Sequence, residues 1–470
     1  MTQHSRFVPT ILIVLGATGD LMAKKIAPAV YQLYKNGHLP QLFSIYGFAR
    51  REMSHEEFRH LIKRELVRKG MHAIDDAFLS LCHYHTGNFE HKVDYLALAN
   101  TLGYVDEQWN ACSNKLYYLA VPPTYYASIF KKLADSGLSK SCSDKTGWTR
   151  IIVEKPFGKD LQTAQNLDSM LGSLFQEEQI YRIDHYLAKE MLQNILVFRF
   201  NNNLLESMWH KKHIESVEIK LFEKLGVEHR GAFYDGVGTL RDVGQNHMLQ
   251  MVALSLMDQP KSLLAQDVRS KRAELLATLP RLSLTQIKKN TTRAQYVGYP
   301  KIAGVQPNSQ TETYFKLQFS LNHPRWKGVP ISLEGGKRLA EARKEVIITF
   351  KHPSRCTCPK GDTHYKNTVI FRMEPKEEIK IQFWAKKPGL TSEVRPANFD
   401  FVYSDSAEVK HQYTHEYERL LLDCILGNQL LFLSTEEVAS MWKFIDPISE
   451  AWARNAVPLQ TYQPDTQPVL

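Results

Sequence analysis

The chain is poor in cysteine and lacks long apolar runs. Six cysteines in 470 residues are too few for the disulfide framework typical of small secreted proteins. No apolar run approaches the roughly 20 residues that span a membrane. The apolar stretch at residues 11–15 is too short for a signal peptide. We therefore expect a soluble, cytoplasmic protein without a membrane partner.

Long blocks of one charge are also lacking. The 59 basic residues outnumber the 50 acidic ones by only nine, and no block of about five or more like charges occurs. A nucleic acid is therefore not an expected partner. The mild basic excess is compatible with a small anionic ligand.

The first 180 residues alternate short apolar runs with helical patterns. Strands are predicted at 10–15, 43–49, 115–121 and 150–153, and a helix at 21–36. This α/β rhythm predicts a doubly wound parallel sheet with helices on both faces.

The pattern changes after about residue 210. Apolar and polar residues alternate at 217–221, 315–321 and 379–383, and further strands are predicted at 345–350 and 368–373. Helices are predicted at 246–257, at 416–426 and after the capping box of Ser434 and Glu437. We predict a large mixed, mainly antiparallel sheet with helices. The predicted domains are 1–181 and 182–459, followed by a flexible tail at 460–470.

The run at 182–190 (RIDHYLAKE) brings several ionisable side chains close together in sequence. If it is helical, His185 and Lys189 share one face, and a bound dianion would relieve their repulsion. Tyr186 adds a hydroxyl donor, and Asp184 can hold a histidine or accept a proton. The run suits a small phosphorylated substrate; the alternative is a solvated helix surface of mixed charge.

The turn after the first strand suits a dinucleotide. Gly16 and Gly19 would let the backbone approach a pyrophosphate at a helix N-terminus, although the G-x-G-x-x-G match is imperfect. The alternative is an ordinary βα turn. Arg50 and Arg51 end the second strand, where arginine favours the 2′-phosphate of NADP. Glu52 follows them, so use of NAD stays open.

Three further features have both a functional and an ordinary interpretation. Lys155 follows a strand at the edge where ligands bind, and the peptide before Pro156 can be cis or trans. His247 precedes an apolar helix and could act as a general base, but it is one of 18 histidines. The residues His352, Cys356, Cys358 and His364 are metal-like, yet their spacing is not a standard zinc pattern. We expect a hairpin loop there and no metal.

Together these motifs resemble the glucose-6-phosphate dehydrogenase family. The matching segments are GATGDL (16–21), GFAR (47–50), EKPFG (154–158), RIDHYLAKEMLQN (182–194), RDVGQNH (241–247) and the pair Gly336-Lys337. Their order and spacing match over residues 10–452. The resemblance implies a Rossmann domain followed by a β+α substrate and dimerisation domain, in a homodimer or tetramer.

The resemblance also implies the reaction. D-Glucose 6-phosphate would be oxidised to 6-phospho-D-glucono-1,5-lactone, with hydride transfer from C1 to NADP+. This is the first step of the oxidative pentose phosphate pathway. His247 would be the general base and Asp184 the carboxylate that orients it. The implied substrate-binding residues are Lys155, His185, Tyr186, Lys189, Glu223, Asp242, Lys337 and the loosely aligned Arg343. The implied cofactor-binding residues are Gly16, Gly19, Asp20, Leu21, Lys25, Arg50 and Lys155.

Two departures from the family pattern matter. Ala188 replaces a glycine, which a helix should tolerate. Glu334 stands where animal members carry an arginine for a second NADP, so we expect one NADP per subunit. The rival functions are a sugar oxidoreductase of the glucose–fructose oxidoreductase type, which needs no phosphate site, and a catalytically inactive NADP sensor.

Overall fold

The computed structural model describes residues 8–142, 147–203, 205–352, 355, 358, 364–403 and 415–467. The strands in these residues are β1 (Thr10–Leu15), β2 (Phe43–Ala49), β3 (Cys82–Thr86), β4 (Asn114–Leu119), β5 (Thr149–Val153), β6 (Ile180–Ile183), β7 (Ile214–Phe222), β8 (Thr291–Tyr296), β9 (Tyr314–Phe319), β10 (Ile331–Gly336), β11 (Arg343–Phe350), β12 (Thr368–Glu374), β13 (Glu378–Lys386), β14 (Val394–Val402), β15 (Phe432–Leu433) and β16 (Leu459–Tyr462).

The helices connect and cover these strands. They are α1 (Ala27–Lys35), α2 (His55–Arg68), α3 (Asp76–Ser80), α4 (Lys92–Trp109), α5 (Tyr126–Asp135), α6 (Leu161–Gly172), α7 (Glu190–Phe200), α8 (Gly231–Tyr234), α9 (Leu249–Leu256), α10 (Ala265–Leu276), α11 (Leu284–Asn290), α12 (Glu416–Leu426) and α13 (Thr435–Ala453). Two π-helical stretches, Met22–Ile26 and Leu240–Met248, lead directly into α1 and α9. None of the helices in the described residues is both long and apolar enough to cross a membrane.

The N-terminal sheet has the order β15-β6-β5-β4-β1-β2-β3. Strands β1 to β6 run parallel to their neighbours, and only β15 is antiparallel. Every residue of β1 and β2 is buried, as expected for a sheet covered on both faces. The predicted doubly wound sheet is confirmed. Its order reverses at β1, between β2 and β4, where such sheets bind ligands.

The second sheet has the order β14-β13-β12-β11-β7-β10-β9-β8-β16. Most neighbours are antiparallel; β10 with β7 and β16 with β8 are the parallel pairs. The predicted mixed, mainly antiparallel sheet is therefore confirmed. The capping box also forms, because the Ser434 side chain accepts from the backbone of Glu437 at the start of α13. One hydrophobic cluster joins the two sheets, and the division into two domains at 181/182 stays a prediction.

The run at 182–190 is not helical before its last residue, so the shared helix face considered for His185 and Lys189 does not form. Residues 180–183 form β6, residues 184–189 form a turn, and α7 begins only at Glu190. On this strand the buried guanidinium of Arg182 pairs with Asp168 at 2.5 Å and Glu177 at 2.9 Å. Two strands, β5 and β15, also flank β6 and satisfy its backbone groups.

The expected flexible tail is partly wrong. Leu459–Tyr462 forms β16, which pairs with β8, and the ring of Tyr462 is buried. Asp465 pairs with Arg338 at 2.8 Å. Residues 468–470 lie outside the described residues. Elsewhere in the described residues, Cys112 and Cys142 form a disulfide.

Candidate active site

A cavity of about 440 Å³ opens at the carboxyl edge of the parallel sheet. Its volume lies in the range of small-molecule sites. Its walls come from several elements: the turn after β1, the loops after β4 and β5, the turn after β6, the π-helical stretch and α12. Lining residues include Leu21, Pro122, Lys155, His185, Asp242 and Tyr417.

His247 lies in the π-helical stretch and is 1 % exposed. Its Nδ1 is 2.5 Å from Oδ1 of Asp184, and its Nε2 is 3.0 Å from Nζ of Lys155. The lysine ammonium has only donors, so Nε2 must be the acceptor and Nδ1 must carry the proton. The neighbours of His247 thereby fix its tautomer. The lone pair of Nε2 points toward the lysine that lines the cavity.

The environment of His247 favours its neutral form. Burial, followed by the nearby charge of Lys155, holds the pKa of His247 well below its usual value. Burial raises the pKa of Asp184, whereas His185 and the backbone N–H of Tyr186 act in the opposite direction. An unprotonated imidazole held by a carboxylate can accept a proton at neutral pH.

Lys155 connects the histidine to a second carboxylate. It follows β5, and its peptide bond to Pro156 is cis. Its Nζ donates to the backbone oxygen of Asp242 at 2.9 Å and lies 3.4 Å from Oδ1 of the same residue. Asp184 follows β6, the parallel neighbour of β5, so the two strands end side by side. This explains why residues far apart in sequence meet at His247.

A charged cluster lies at the ends of β7 and β10. These strands are parallel, and Phe222 pairs with Gly336 at their ends, so Glu223 and Lys337 follow as neighbours and form an ion pair. Lys337 also lies 3.5 Å from Oδ2 of Asp242. Burial alone would raise the pKa of Asp242, but Lys155 and Lys337 lower it to about 2. The cluster offers ionised oxygens and ammonium groups to a polyhydroxylated ligand.

The ring of Tyr186 lies close to His247 and to two lysines. It stacks on the His247 ring with centroids 4.1 Å apart, and the His185 ring is 5.0 Å away. Nζ of Lys189 is 5.5 Å and Nζ of Lys344 is 5.7 Å from the Tyr186 centroid. Two lysine ammonium groups and two imidazole rings therefore lie within about 6 Å of the Tyr186 ring centroid.

Each of these lysines has a carboxylate partner. Lys189 lies 2.9 Å from Glu416, at the start of α12, and Lys344 lies 2.7 Å from Glu374, at the end of β12. Burial would raise the pKa of Glu416, but Lys189 reverses this and the pKa is lowered. A bound dianion would compete with both carboxylates for the lysines.

The structure places Arg343 away from this cluster. Consecutive strand residues point to opposite faces, and Arg343 and Lys344 are consecutive at the start of β11. Arg343 pairs with Glu341 at 2.5 Å and Glu345 at 3.7 Å. The side chain near Tyr186 is that of Lys344. The sequence prediction began this strand at residue 345, one residue beyond Lys344, and so could not assign the two faces.

The turn after β1 has the geometry of a phosphate-binding turn. Gly16 has φ +90°, and a Cβ there would approach the backbone oxygen of Ala120 to 2.4 Å, so only glycine fits. Gly19 donates its N–H to the Gly16 oxygen at 3.0 Å. Asp20 pairs with Lys24 at 2.7 Å, and Leu21 reaches the cavity that Lys155 also lines. These residues fit a dinucleotide at the point where strand order reverses.

The remaining predicted cofactor residues flank the same edge. Nζ of Lys25 lies 5.4 Å from the ring centroid of Tyr417. The Tyr417 hydroxyl donates to the buried carboxylate of Glu154 at 3.1 Å, next to Lys155. The guanidinium of Arg50 lies 5.8 Å from the Tyr125 ring and is exposed at the end of β2.

Sequence reasoning missed Lys344, Glu374, Glu416 and Tyr417. Had the start of β11 at Arg343 been known, the alternation of strand residues would have placed Lys344 on the opposite face. The two glutamates come from β12 and α12, and nothing in their local sequence distinguishes them. Of the metal-like residues, Cys356 lies outside the described residues, and the other three lie at the far end of β11 and β12.

Comparisons with known proteins agree over nearly the full length of the chain. Residues 13–194 match the family model "Glucose-6-phosphate dehydrogenase, NAD binding domain", and residues 196–468 match "Glucose-6-phosphate dehydrogenase, C-terminal domain". The chain is 38% identical to glucose-6-phosphate 1-dehydrogenase of Chlamydia muridarum, over 95% of this chain and 91% of that protein. It is 34% identical to the enzyme of the same name from Bacillus subtilis, over 96% and 94% of the two chains.

Solved structures give the same result. A structure described as glucose-6-phosphate dehydrogenase in complex with its substrate glucose-6-phosphate has a TM-score of 0.89 at 32% identity, and covers 98% of this chain and 96% of its own. Glucose-6-phosphate 1-dehydrogenase from Mycobacterium avium has a TM-score of 0.81 at 30% identity, with 97% and 94% covered.

Proposed function

This chain belongs to the glucose-6-phosphate dehydrogenase family, and from that premise we propose the reaction that it catalyses. The substrate is D-glucose 6-phosphate, the hydride acceptor is NADP+, and the product is 6-phospho-D-glucono-1,5-lactone. The observation that carries the proposal is the neutral His247, held by Asp184 beside a cavity and a cation cluster. The reaction is the entry step of the oxidative pentose phosphate pathway.

The proton transfer follows from the tautomer of His247. Nε2 removes the proton of the C1 hydroxyl as the C1–H bond breaks, and the C1–O bond becomes a carbonyl. NADP+, held by the turn after β1, would supply the acceptor for the hydride that leaves C1. Asp184 stabilises the imidazolium that forms, because its carboxylate already accepts from Nδ1–H at 2.5 Å. Before substrate binds, Nζ of Lys155 donates to Nε2 of His247. In the complex, the C1 hydroxyl of the sugar replaces Lys155 as the donor to Nε2.

The phosphate binds to the cations around Tyr186. We assign His185, Tyr186 and Lys189 to this site, as the family resemblance implies, and we add Lys344 in place of Arg343. Charged hydrogen bonds contribute roughly 1.5–3 kcal/mol each, so several of them separate glucose 6-phosphate from glucose by orders of magnitude. Glu223, Asp242 and Lys337 hold the sugar hydroxyls on the other side of the base.

The cofactor site uses the turn after β1. Gly16 and Gly19 admit the pyrophosphate to the helix N-terminus, with Asp20, Leu21 and Lys25 around it. Arg50, exposed at the end of β2, binds the 2′-phosphate and favours NADP over NAD. One NADP per subunit is proposed, because Glu334 accepts from the Tyr314 hydroxyl at 2.7 Å on β10 and places a carboxylate where a second NADP would need a cation.

We also propose a homodimer or tetramer. The edge strand β14 exposes Phe399 (65 %) and Phe401 (52 %). An exposed apolar edge strand supports self-association through this sheet. The molar mass in solution, measured by light scattering, tests the proposal.

The reaction is tested with purified protein in a four-way assay. Glucose 6-phosphate or glucose is combined with NADP+ or NAD+, and the absorbance of the reduced nicotinamide is followed. We expect rapid reduction with glucose 6-phosphate and NADP+, and little with glucose. If NADP+ binds but neither sugar reduces it, the protein is not this enzyme and the sensor alternative gains support.

A further inference from the structure

Three metal-ligating side chains converge at the hairpin between β11 and β12, away from the active site. They are His352, Cys358 and His364, and their ligand atoms all lie within 4.8 Å of one another. Nε2 of His352 is 2.9 Å from Sγ of Cys358, and the two imidazole rings have centroids 4.8 Å apart. We propose that these three residues bind a Zn²⁺ ion that stabilises the hairpin. The proposal is independent of the catalytic function.

The strand ladder explains why the two histidines meet. Phe350, the last residue of β11, donates its N–H to the oxygen of Asn367, the residue before β12, at 2.9 Å. His352 therefore leaves one strand close to where His364 approaches the other. Cys358 lies in the connection between them, and its Sγ comes back to both rings. Residues separated by 12 positions in sequence thus form one cluster.

The surroundings of Cys358 favour a metal thiolate. The backbone N–H of Tyr365 lies 3.4 Å from its Sγ. Such a donor stabilises a thiolate ligand from outside the coordination sphere. Tyr365 is itself held by the ring of Trp384 on β13, with centroids 4.4 Å apart, and Trp384 Nε1–H donates to the oxygen of Lys366 at 3.0 Å. Tyr365, which follows the last ligand of the cluster, therefore packs on the sheet.

The donor set selects the metal. Two imidazoles and one thiolate suit Zn²⁺, whereas Mg²⁺ and Ca²⁺ prefer oxygen ligands. Zn–S bonds of about 2.3 Å and Zn–N bonds of about 2.0–2.1 Å put ligand atoms roughly 3.3–3.6 Å apart in a tetrahedron. The observed ligand atoms lie within 4.8 Å of one another, so movements of about 1 Å would bring them to this spacing. Three protein ligands leave the fourth position to water or another donor.

The position of the site predicts a structural role. Six residue steps along β11 separate Lys344 from Phe350, or roughly 20 Å at about 3.3 Å per residue. The metal would thus lie far from the proposed phosphate site. It would bind the folded hairpin and stabilise it by mass action. Removal of zinc should therefore lower the melting temperature and leave kcat unchanged.

The test measures zinc in full-length protein from which any histidine tag has been removed. We expect about one zinc per chain by elemental analysis after purification without chelator. In chelator-treated protein, Cys358→Ser and His364→Ala should each lower the affinity for Zn²⁺ at least about tenfold. His72→Ala, which removes an exposed histidine elsewhere, is the matched control and should bind zinc like the parent.

Cobalt gives a second measurement on the same variants. Co²⁺ in the parent should show the charge-transfer absorption of a thiolate ligand, and Cys358→Ser should lose it. Equal zinc affinity of the parent and Cys358→Ser, together with a Co²⁺ spectrum that lacks this band, would overturn the site. A chelator that abolishes turnover without changing the melting temperature would overturn the structural role.

Discussion

His247 has a different partner on each ring nitrogen, and this arrangement predicts its role. Asp184 holds Nδ1–H, and Lys155 donates to Nε2. His247→Asn removes the proton acceptor and its contact with the C1 hydroxyl, but leaves the other proposed sugar and phosphate contacts in place. We expect kcat for glucose 6-phosphate to fall at least about 10²-fold with little change in KM. Steady-state kinetics measure both, and near-parental turnover would exclude His247 as the base.

The lowered pKa of His247 predicts the acid limb of the pH profile. The base works when unprotonated, so kcat/KM should persist as the pH falls below the ordinary histidine pKa of about 6.5, and decline only at the lowered value. Lys155→Gln removes a cation 3.0 Å from Nε2, so the pKa of His247 and the acid limb should both rise. If the acid limb came from ionisation of the sugar phosphate, the parent and Lys155→Gln would show the same limb. Coinciding pH profiles would therefore contradict the assignment to His247.

Arg343 and Lys344 are adjacent in sequence, and only Lys344 is assigned to the phosphate site. Lys344→Ala removes an ammonium near Tyr186 and should raise KM for glucose 6-phosphate about tenfold or more, because a charged hydrogen bond contributes roughly 1.5–3 kcal/mol. Arg343→Ala is the matched control, since its partners are Glu341 and Glu345, and KM should change little. Thermal denaturation checks that both variants fold. A larger effect of Arg343→Ala would reverse the assignment.

At the scale of elements, the turn after β1 depends on one glycine. A Cβ on Gly16 would meet the Ala120 oxygen at 2.4 Å, whereas Gly37 also has positive φ but nothing within 4 Å of its Cβ position. Gly37→Ala should cost about 1–2 kcal/mol in the free energy of unfolding, from backbone conformation alone. Gly16→Ala should cost more and weaken NADP+ binding at least tenfold. Calorimetry of both variants measures stability and affinity, and equal behaviour would contradict the role of the turn.

The elements that could be predicted are those whose hydrophobic pattern is strong. The strands at 10–15 and 43–49 were located at their observed ends, because they are continuous apolar runs in a sheet covered on both faces. β3 was missed because its sequence, CHYHT, is mostly polar or aromatic. The sequence does not predict β6, since its pairing with β15, from more than 240 residues away, has no local signal.

At the scale of the whole molecule, the sequence motifs predict a set of site residues but not the contacts among them. The proposed catalytic pair and the residues around it do meet, because the parallel strands β5 and β6 end beside the π-helical stretch. The lysine partners Glu374 and Glu416 could not be predicted, because they depend on how the second sheet and α12 pack around Tyr186. Contacts between distant elements are determined by packing and not by local pattern.

In the proposed reaction, C1 of glucose 6-phosphate donates a hydride to NADP+ in this cavity. Glucose 6-phosphate deuterated at C1 tests it directly, with mass spectrometry of the reduced cofactor after turnover. We expect the deuterium in reduced NADP and the sugar recovered as the lactone or its hydrolysis product. Reduced NADP without deuterium, or no reduction at all, would contradict the account.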